Sequence, residues 1–504
     1  MAVSLRGITK RFGPVLANDD VSFDVARGTI HGIIGENGAG KSTVMSILYG
    51  LTASDGGEIL IDGRTVTIAR SADAIGLGIG MVHQHFMLVD SFSVLENLVL
   101  GVEGGWRLSR GLDTARARVT ALTRTYGLEL DLDALVGDLP VGLRQRVEIL
   151  KALYRGAHTL VLDEPTGVLT PDEADQLFEI LRTLRAEGKT VLLITHKLRE
   201  IMAVTDRVTV MRAGRVVAEV ATADTSREAL AVLMVGRALA PLPGKREIAG
   251  GPAVLATEGL SVTDAAGIRR VDDLTLSIRA GEIVGIAGVS GNGQSELLAA
   301  LAGTLPIAGG RVMWRGQPWP SGLGPRDRRR QGLAHIPEDR LRMGLIGAFH
   351  AYESAILGYQ DDPDYSAGPL LRTGRICDET RRRMSDYDVR PADVDLRSAL
   401  FSGGNQQKLI SAREMERAPA ALLVGQPTRG VDIGAIDFIH RRLIALRDRG
   451  TAILLVSVEL EEILALADRI LVMVDGRVVG EVSRADATEQ ALGLLMAGVR
   501  DVAA

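Results

Sequence analysis

Two stretches of this chain, RVTVMRAGRVVAEV from Arg207 and RILVMVDGRVVGEV from Arg469, are near copies 262 residues apart. Two glycine-rich loops, starting at Gly35 and Gly288, stand 253 residues apart, so the second copy has gained about nine residues between its landmarks. A repeat of that period is a whole domain duplicated, and it requires two like folds in tandem. Within each copy, β-branched runs such as HTLVLDEP and TVLLITH alternate with helical stretches such as ADQLFEILRTLRAEG. That alternation predicts an α/β fold with a mostly parallel sheet between helices. The expected domains are 1–236 and 253–504, joined by a short linker over 237–252, where ALAPLPGKREIAGGP is rich in Pro, Gly and Ala.

The first loop reads GENGAGKST (35–43), set between the apolar run TIHGII and the helical stretch VMSILYG. A strand, a glycine loop and a helix in that order make a phosphate seat. Backbone N–H groups close around β- and γ-phosphates, the helix start adds positive potential, Lys41 brings a charge, and Ser42 can ligate Mg²⁺. Gly35, Asn37, Gly38, Ala39, Gly40, Lys41, Ser42 and Thr43 are thus the candidate nucleotide-binding set. A glycine-rich turn that merely links strand to helix is the plain alternative.

Downstream, TLVLDEPTG (159–167) is an apolar strand ending in two carboxylates. Asp163 is expected to hold Mg²⁺, directly or through water, and Glu164 to polarise an attacking water; taken alone, an acidic strand end is also a helix cap. Gln84 in GMVHQHFML is a further candidate for both metal and water, and His196 in VLLITHKL for the γ-phosphate. His31, His83, His85, His335 and His350 are read as core or surface groups.

The order of phosphate loop, HQ segment, LPVGLRQR, LVLDEPTG and ITH, repeated with variations, resembles the ATPase subunit of ABC transporters over essentially the whole chain. The resemblance implies ATP with Mg²⁺ as cofactors. It also implies an antiparallel β part and a helical subdomain in each domain, and a head-to-tail pairing in which each phosphate loop borrows the signature segment of the opposite domain. Phe12 in KRFGP matches the aromatic on which adenine stacks in that family, although a core phenylalanine fits the same pattern.

Aligned on the first copy, the second has lost its catalytic groups. Lys41 is matched by Gln294, Asp163 and Glu164 by Gly425 and Gln426, His196 by Val458, Gln84 by Glu338 and Phe12 by Asp264. The signatures show the opposite bias. FSGGNQQK (401–408) keeps Ser402, Gly403 and Gly404, whose hydroxyl and N–H groups can meet a γ-phosphate, whereas Pro140 in LPVGLRQR offers neither hydroxyl nor N–H. In the family's pairing these defects segregate into one complete and one degenerate composite site.

Composition limits the setting. A net charge of −5 argues against general nucleic-acid binding, and the basic run RDRRR (326–330) reads as a solvated helix face. Cys377 is the only cysteine, so an internal disulfide and a zinc cluster are excluded and a reducing cytoplasm is compatible. The chain has no apolar signal core at its start and no apolar run long enough to span a bilayer. Tandem chains of this kind resemble those of bacterial importers of monosaccharides and nucleosides, and MVHQHFML, DEPTGVLTP, GNGQSEL and GQPTRGVD look most like the nucleoside branch. That resemblance implies two integral-membrane permease subunits, an extracytoplasmic binding protein and a peripheral position on the cytoplasmic face of the membrane. Soluble tandem ATPases that act on ribosomes also carry two copies, but typically with two intact sites and a long charged linker.

Overall fold

A computed structural model describes residues 1–13, 15–83, 86–102, 108–166, 169, 171–237, 242–245, 251–289, 291–320 and 322–496. The chain divides into two compact units, Met1–Ala240 and Pro241–Ala504. Most of the linker expected over 237–252 lies outside the described residues.

In the first unit, β1 (Val3–Phe12), β2 (Val15–Val25), β4 (Gly56–Ile61) and β5 (Arg64–Val66) form an antiparallel sheet in the order β2-β1-β4-β5. A second sheet contains β3 (Ile30–Ile34), β6 (Ile79–Val82), β7 (Thr159–Asp163), β8 (Thr190–Ile194), β9 (Arg207–Arg212) and β10 (Arg215–Ala221). Its order is β10-β9-β3-β8-β7-β6, parallel throughout except at β10. The repeated stretch that betrays the duplication is the β9–β10 hairpin. Ala213 and Gly214 turn it with φ of 49° and 81°, the geometry that matches the twist of its strands.

The central strands are apolar on both sides because both faces are covered. Leu160, Leu162, Val191 and Leu193 point to one face and join a core with the helices Val94–Val99, Leu108–Tyr126 and Val141–Tyr154. Val161, Leu192 and Ile194 point to the other, where Val44, Met45 and Leu48 of the helix Lys41–Leu48 and the antiparallel sheet close a second core. One period-2 pattern thus serves two cores, and the helix that follows the phosphate loop is held by one of them.

The second unit repeats the plan. An antiparallel sheet pairs Ala253–Thr263 with Arg269–Arg279 and Gly309–Trp314. Leu333–Ile336, Ala421–Gly425, Ala452–Val456, Ile283–Ala287 and Arg469–Val474 lie parallel in that spatial order, and Arg477–Ser483 returns antiparallel. The α/β class with its antiparallel part and helical subdomain is therefore as expected.

The basic run 326–330 departs from expectation. Arg326 and Arg330 are exposed, but Arg328 is buried and donates to the Leu301 carbonyl at 2.7 Å. Arg329 pairs with the fully buried Glu414 at 2.9 Å. Burial by itself would raise the Glu414 carboxyl, but Arg329 and Arg413 hold it down at about 2. A buried acid 85 positions downstream thus draws in Arg329, and main-chain carbonyls of the helix Gln294–Ala302 draw in Arg328, from a run that sequence alone leaves in water.

The cores set the cost of truncation. Leu193→Ala, at a position with no exposed surface, is expected to cost about 2–5 kcal/mol. Leu51→Ala, more than half exposed, should cost under about 0.5 kcal/mol. Urea unfolding of both variants, followed by circular dichroism, distinguishes them; equal losses would contradict the two-core arrangement.

Candidate functional site

The sequence motifs converge because their strands are neighbours. β3, β8, β7 and β6 lie side by side and parallel, so the segments that follow them leave one edge of the sheet. The carboxyl edge of a parallel sheet is where ligands gather in open α/β folds.

Behind β3, Gly35 passes the backbone so closely that an added Cβ would lie 2.3 Å from the Met211 carbonyl oxygen. Gly40 caps the helix Lys41–Leu48 at φ 91°, a conformation that only glycine takes without strain, and a Cβ there would meet the Ala17 carbonyl at 2.4 Å. Gly38 is also left-handed, Asn37 and Thr43 are half-buried, and Ala39 is buried. Lys41 is the first residue of the helix, and its Nζ donates to the carbonyls of Gly35 and Glu36 at 2.7 and 3.1 Å. The cation is folded back over the loop at the start of the helix.

Asp163 ends β7, and the chain then bends through Glu164, whose φ of 47° is unusual for a side chain of its kind. The Glu164 N–H donates to the Ile194 carbonyl at 2.9 Å, tying the bend to the end of β8. Two residues past β8, His196 Nδ1–H donates to Glu164 Oε1 at 3.0 Å. That bond lowers the Glu164 carboxyl against the effect of burial, and so keeps it charged. Asp163 goes the other way: burial raises it and the adjacent Glu164 charge adds to the rise, with Ser42 and Lys41 opposing. Ser42 Oγ donates to Asp163 Oδ1 at 3.4 Å. Gln84 lies outside the described residues, as does His85. Phe12 is not a core residue: it is half exposed at the end of β1, with Lys10 Nζ 5.4 Å from its ring centre.

The remaining histidines have other duties. His31 is buried and His335 partly so, and loss of solvent pushes both down to about 4; His31 Nε2 lies 2.7 Å from Thr209 Oγ1. His350 precedes a short helix, and His83 packs edge-on to Tyr49.

The second loop keeps the backbone of the first. Gly291 and Gly293 take φ of 97° and 96°, and Gly293 caps the helix Gln294–Ala302. Gln294 is as buried as Lys41, and its Nε2 donates to the Val289 carbonyl at 3.2 Å, the counterpart of the bond from Lys41 to Glu36. Gln426 repeats the left-handed bend with φ 46° and donates its N–H to Val456. Its Oε1 accepts from the Val458 N–H at 3.2 Å, where Glu164 accepts from an imidazole. Asp264, in the place of Phe12, is spent on a turn, accepting from the N–H groups of Ala266 and Ile268 at 2.9 Å.

Ser402 caps the helix Gly403–Met415 by accepting from the Asn405 N–H, and Gly403 and Gly404 open that helix. Pro140 occupies the corresponding cap of Val141–Tyr154, with no side-chain bond. One feature escapes sequence reasoning: Glu338, counted there as a loss, stands at the second loop, where Ser295 Oγ donates to Glu338 Oε2 at 2.5 Å. The signal for it lay in the pairing of a gained carboxylate at 338 with a lost one at 425.

The ABC transporter family profile matches residues 18–167 and 271–429. The chain is 45% identical to "Nucleoside import ATP-binding protein NupA" of Lactococcus lactis, over 98% of each chain. It is 47% identical to "Guanosine import ATP-binding protein NupO" of Bacillus subtilis, over 98% of this chain and 97% of that one. It is 43% identical to "Glucose import ATP-binding protein TsgD13" of Haloferax volcanii, over 99% and 96%. With both halves matched separately and the relatives spanned from end to end, this chain belongs to the ABC transporter family, as an ATP-binding subunit that carries the domain twice.

Proposed function

We propose that this chain hydrolyses ATP to power a membrane importer of nucleosides. The observation that carries the cargo is the 45–47% identity to two nucleoside-type import proteins over nearly the whole chain. A monosaccharide importer is the second reading, supported by the 43% identity to a glucose import protein.

For the chemistry, Lys41 and the amides of the loop bind the phosphates, and the exposed Phe12 offers a face for adenine. Glu164, kept ionised by His196, accepts a proton from the attacking water, and His196 holds the carboxylate in orientation. Mg²⁺ fits at Ser42 and Asp163, two oxygen donors 3.4 Å apart at the end of a strand. When bound, the ion neutralises charge on the phosphate oxygens. Gln84 belongs to the same set from its place in the sequence. The family's pairing assigns the intact signature Ser402–Gly404 to the first loop and the proline signature to the second, so that hydrolysis is confined to the site built on Lys41.

The partners of this reading are two integral-membrane permeases and, through them, an extracytoplasmic binding protein. No helix among the described residues is long and apolar enough to cross a membrane. In this reading the permeases supply the spans and the chain sits peripherally on the cytoplasmic face. A cavity of about 110 Å³ is lined by Tyr49, Met81, His83, Met87, Lys151 and Arg155. Met87 is exposed at its rim and braced by Glu148 and Lys151 at 2.7 Å each, which makes this segment the proposed permease contact in the first unit.

Loss of one group that acts in the transition state commonly lowers turnover roughly 10²- to 10³-fold. Glu164→Gln is expected to fall by at least that much and Gln294→Ala only a few-fold in steady-state ATPase assays; equal losses would sink the asymmetric scheme. Ser402→Arg should abolish turnover while nucleotide binding, followed by equilibrium dialysis, stays measurable. Undiminished hydrolysis in that variant removes the signature from the site. For cargo, the ATPase reconstituted with its cognate permeases and binding protein should be stimulated by inosine or adenosine. Stimulation by ribose or glucose alone would transfer the assignment to sugars.

A further inference from the structure

The segment after Leu333–Ile336 fits the second unit at two places where a glycine leaves room. A Cβ built on Gly425 would lie 2.5 Å from Glu338 Cγ, and one built on Gly403 would lie 2.6 Å from Arg340 Nη2. The first contact is with the strand end beside the second loop. The second is with the signature, and the sequence alone does not mark it.

Arg340 joins three stretches that are far apart along the chain. Its Nε donates at 3.3 Å to Oε1 of Gln406, on the helix Gly403–Met415 that Ser402 caps. Its Nη1 donates at 2.8 Å to the Arg429 carbonyl, just after the left-handed bend at Gln426. Gln406 is itself buried and fixed, since its Nε2 donates to the Ser398 carbonyl at 3.0 Å. Asp339 shapes the turn that carries the arginine, accepting from the N–H groups of Leu341 and Arg342 at 3.0 and 2.9 Å. At the far end of that turn the buried Arg413, on the signature helix, donates to the Gly344 carbonyl at 2.8 Å. The turn Arg340–Gly344 is thus strapped to the signature helix at both ends.

The first unit is built from other residues at these positions. Phe86 stands in the place of Arg340, Val141 in that of Gly403 and Arg144 in that of Gln406, and Arg144 donates instead to the carbonyls of Leu139 and Gly137. The arginine, the glycine and the glutamine come together in the unit whose signature keeps its serine.

We propose that Arg340 is a positioning residue for hydrolysis. It holds the start of the signature helix against the segment after Gln426, so that the Ser402 hydroxyl and the Gly404 N–H meet the γ-phosphate as one preformed group. A planar guanidinium with acceptors on two segments fixes the distance between them, which a single ammonium on a flexible stem does not. Arg340 itself touches no substrate; it acts through Gln406 and the backbone at 403. The proposal rests on the reading in which this signature completes the site built on Lys41.

The test compares Arg340→Ala, Arg340→Lys and Ser402→Arg in the full chain by steady-state ATPase assays, equilibrium dialysis of AMP-PNP and thermal unfolding. Arg340→Ala is expected to lower kcat about tenfold or more, while KM, AMP-PNP affinity and the unfolding temperature stay near those of the parent. Arg340→Lys, which can still donate to one of the two acceptors, should lose less than the alanine variant. Unchanged turnover in Arg340→Ala overturns the proposal, as does a loss carried by KM alone. If Arg340→Ala lowers the unfolding temperature and Arg340→Lys restores it without restoring kcat, the role is one of fold and the proposal falls. Ser402→Arg separates the proposal from the reading beneath it. If only Arg340→Ala is silent, the positioning role falls by itself; if Ser402→Arg is silent too, the assignment of the signature falls with it.

Discussion

The register of β8 against β7 is the constraint on which the catalytic arrangement depends. Asp163 sits opposite Ile194, so the residue after one strand and the second residue after the other emerge together. The Glu164 N–H bond to the Ile194 carbonyl then forces the left-handed bend that turns the glutamate toward His196. A shift of one residue would turn every side chain of β7 to the opposite core. The apolar alternation of Leu160, Val161 and Leu162 between two cores is therefore also what aims the acid. Catalytic geometry here is inherited from burial.

The two units show how far a backbone outlasts its chemistry. Gln426 adopts the same strained φ as Glu164, and Val458 offers a main-chain N–H where His196 offers a ring. The second loop has kept the dihedral angles that the first needs to hold phosphates. Backbone conformation is fixed by the sheet and by glycines that tolerate no Cβ, whereas a side chain at the edge can be exchanged for one of similar reach, as Lys41 is for the equally buried Gln294.

Much of this was legible in the sequence, because it is written in local patterns. Period-2 apolar runs, the glycine loop, the acidic strand end and the duplicated hairpin each announce themselves within about ten residues. What stayed hidden depends on residues far apart. The inward turn of Arg328 and Arg329 is set by Leu301 and Glu414, and the meaning of Glu338 by the absence of a side chain at 425. No window along the chain contains both members of those pairs, and their relation appears only when strands lie side by side.

The mutual exclusion of Glu338 and a side chain at 425 also bears on the history of the duplication. A side chain restored at 425 meets the Cγ methylene of residue 338 at 2.5 Å, and a glutamine there carries the same methylene, so the return path needs the segment at 338 to shift as well as the residues to change. Neither substitution alone rebuilds the arrangement of the first unit. The degenerate half is thus held in place by a ratchet of sterics, and a lineage that has passed this point retains one hydrolytic site even where selection would favour two.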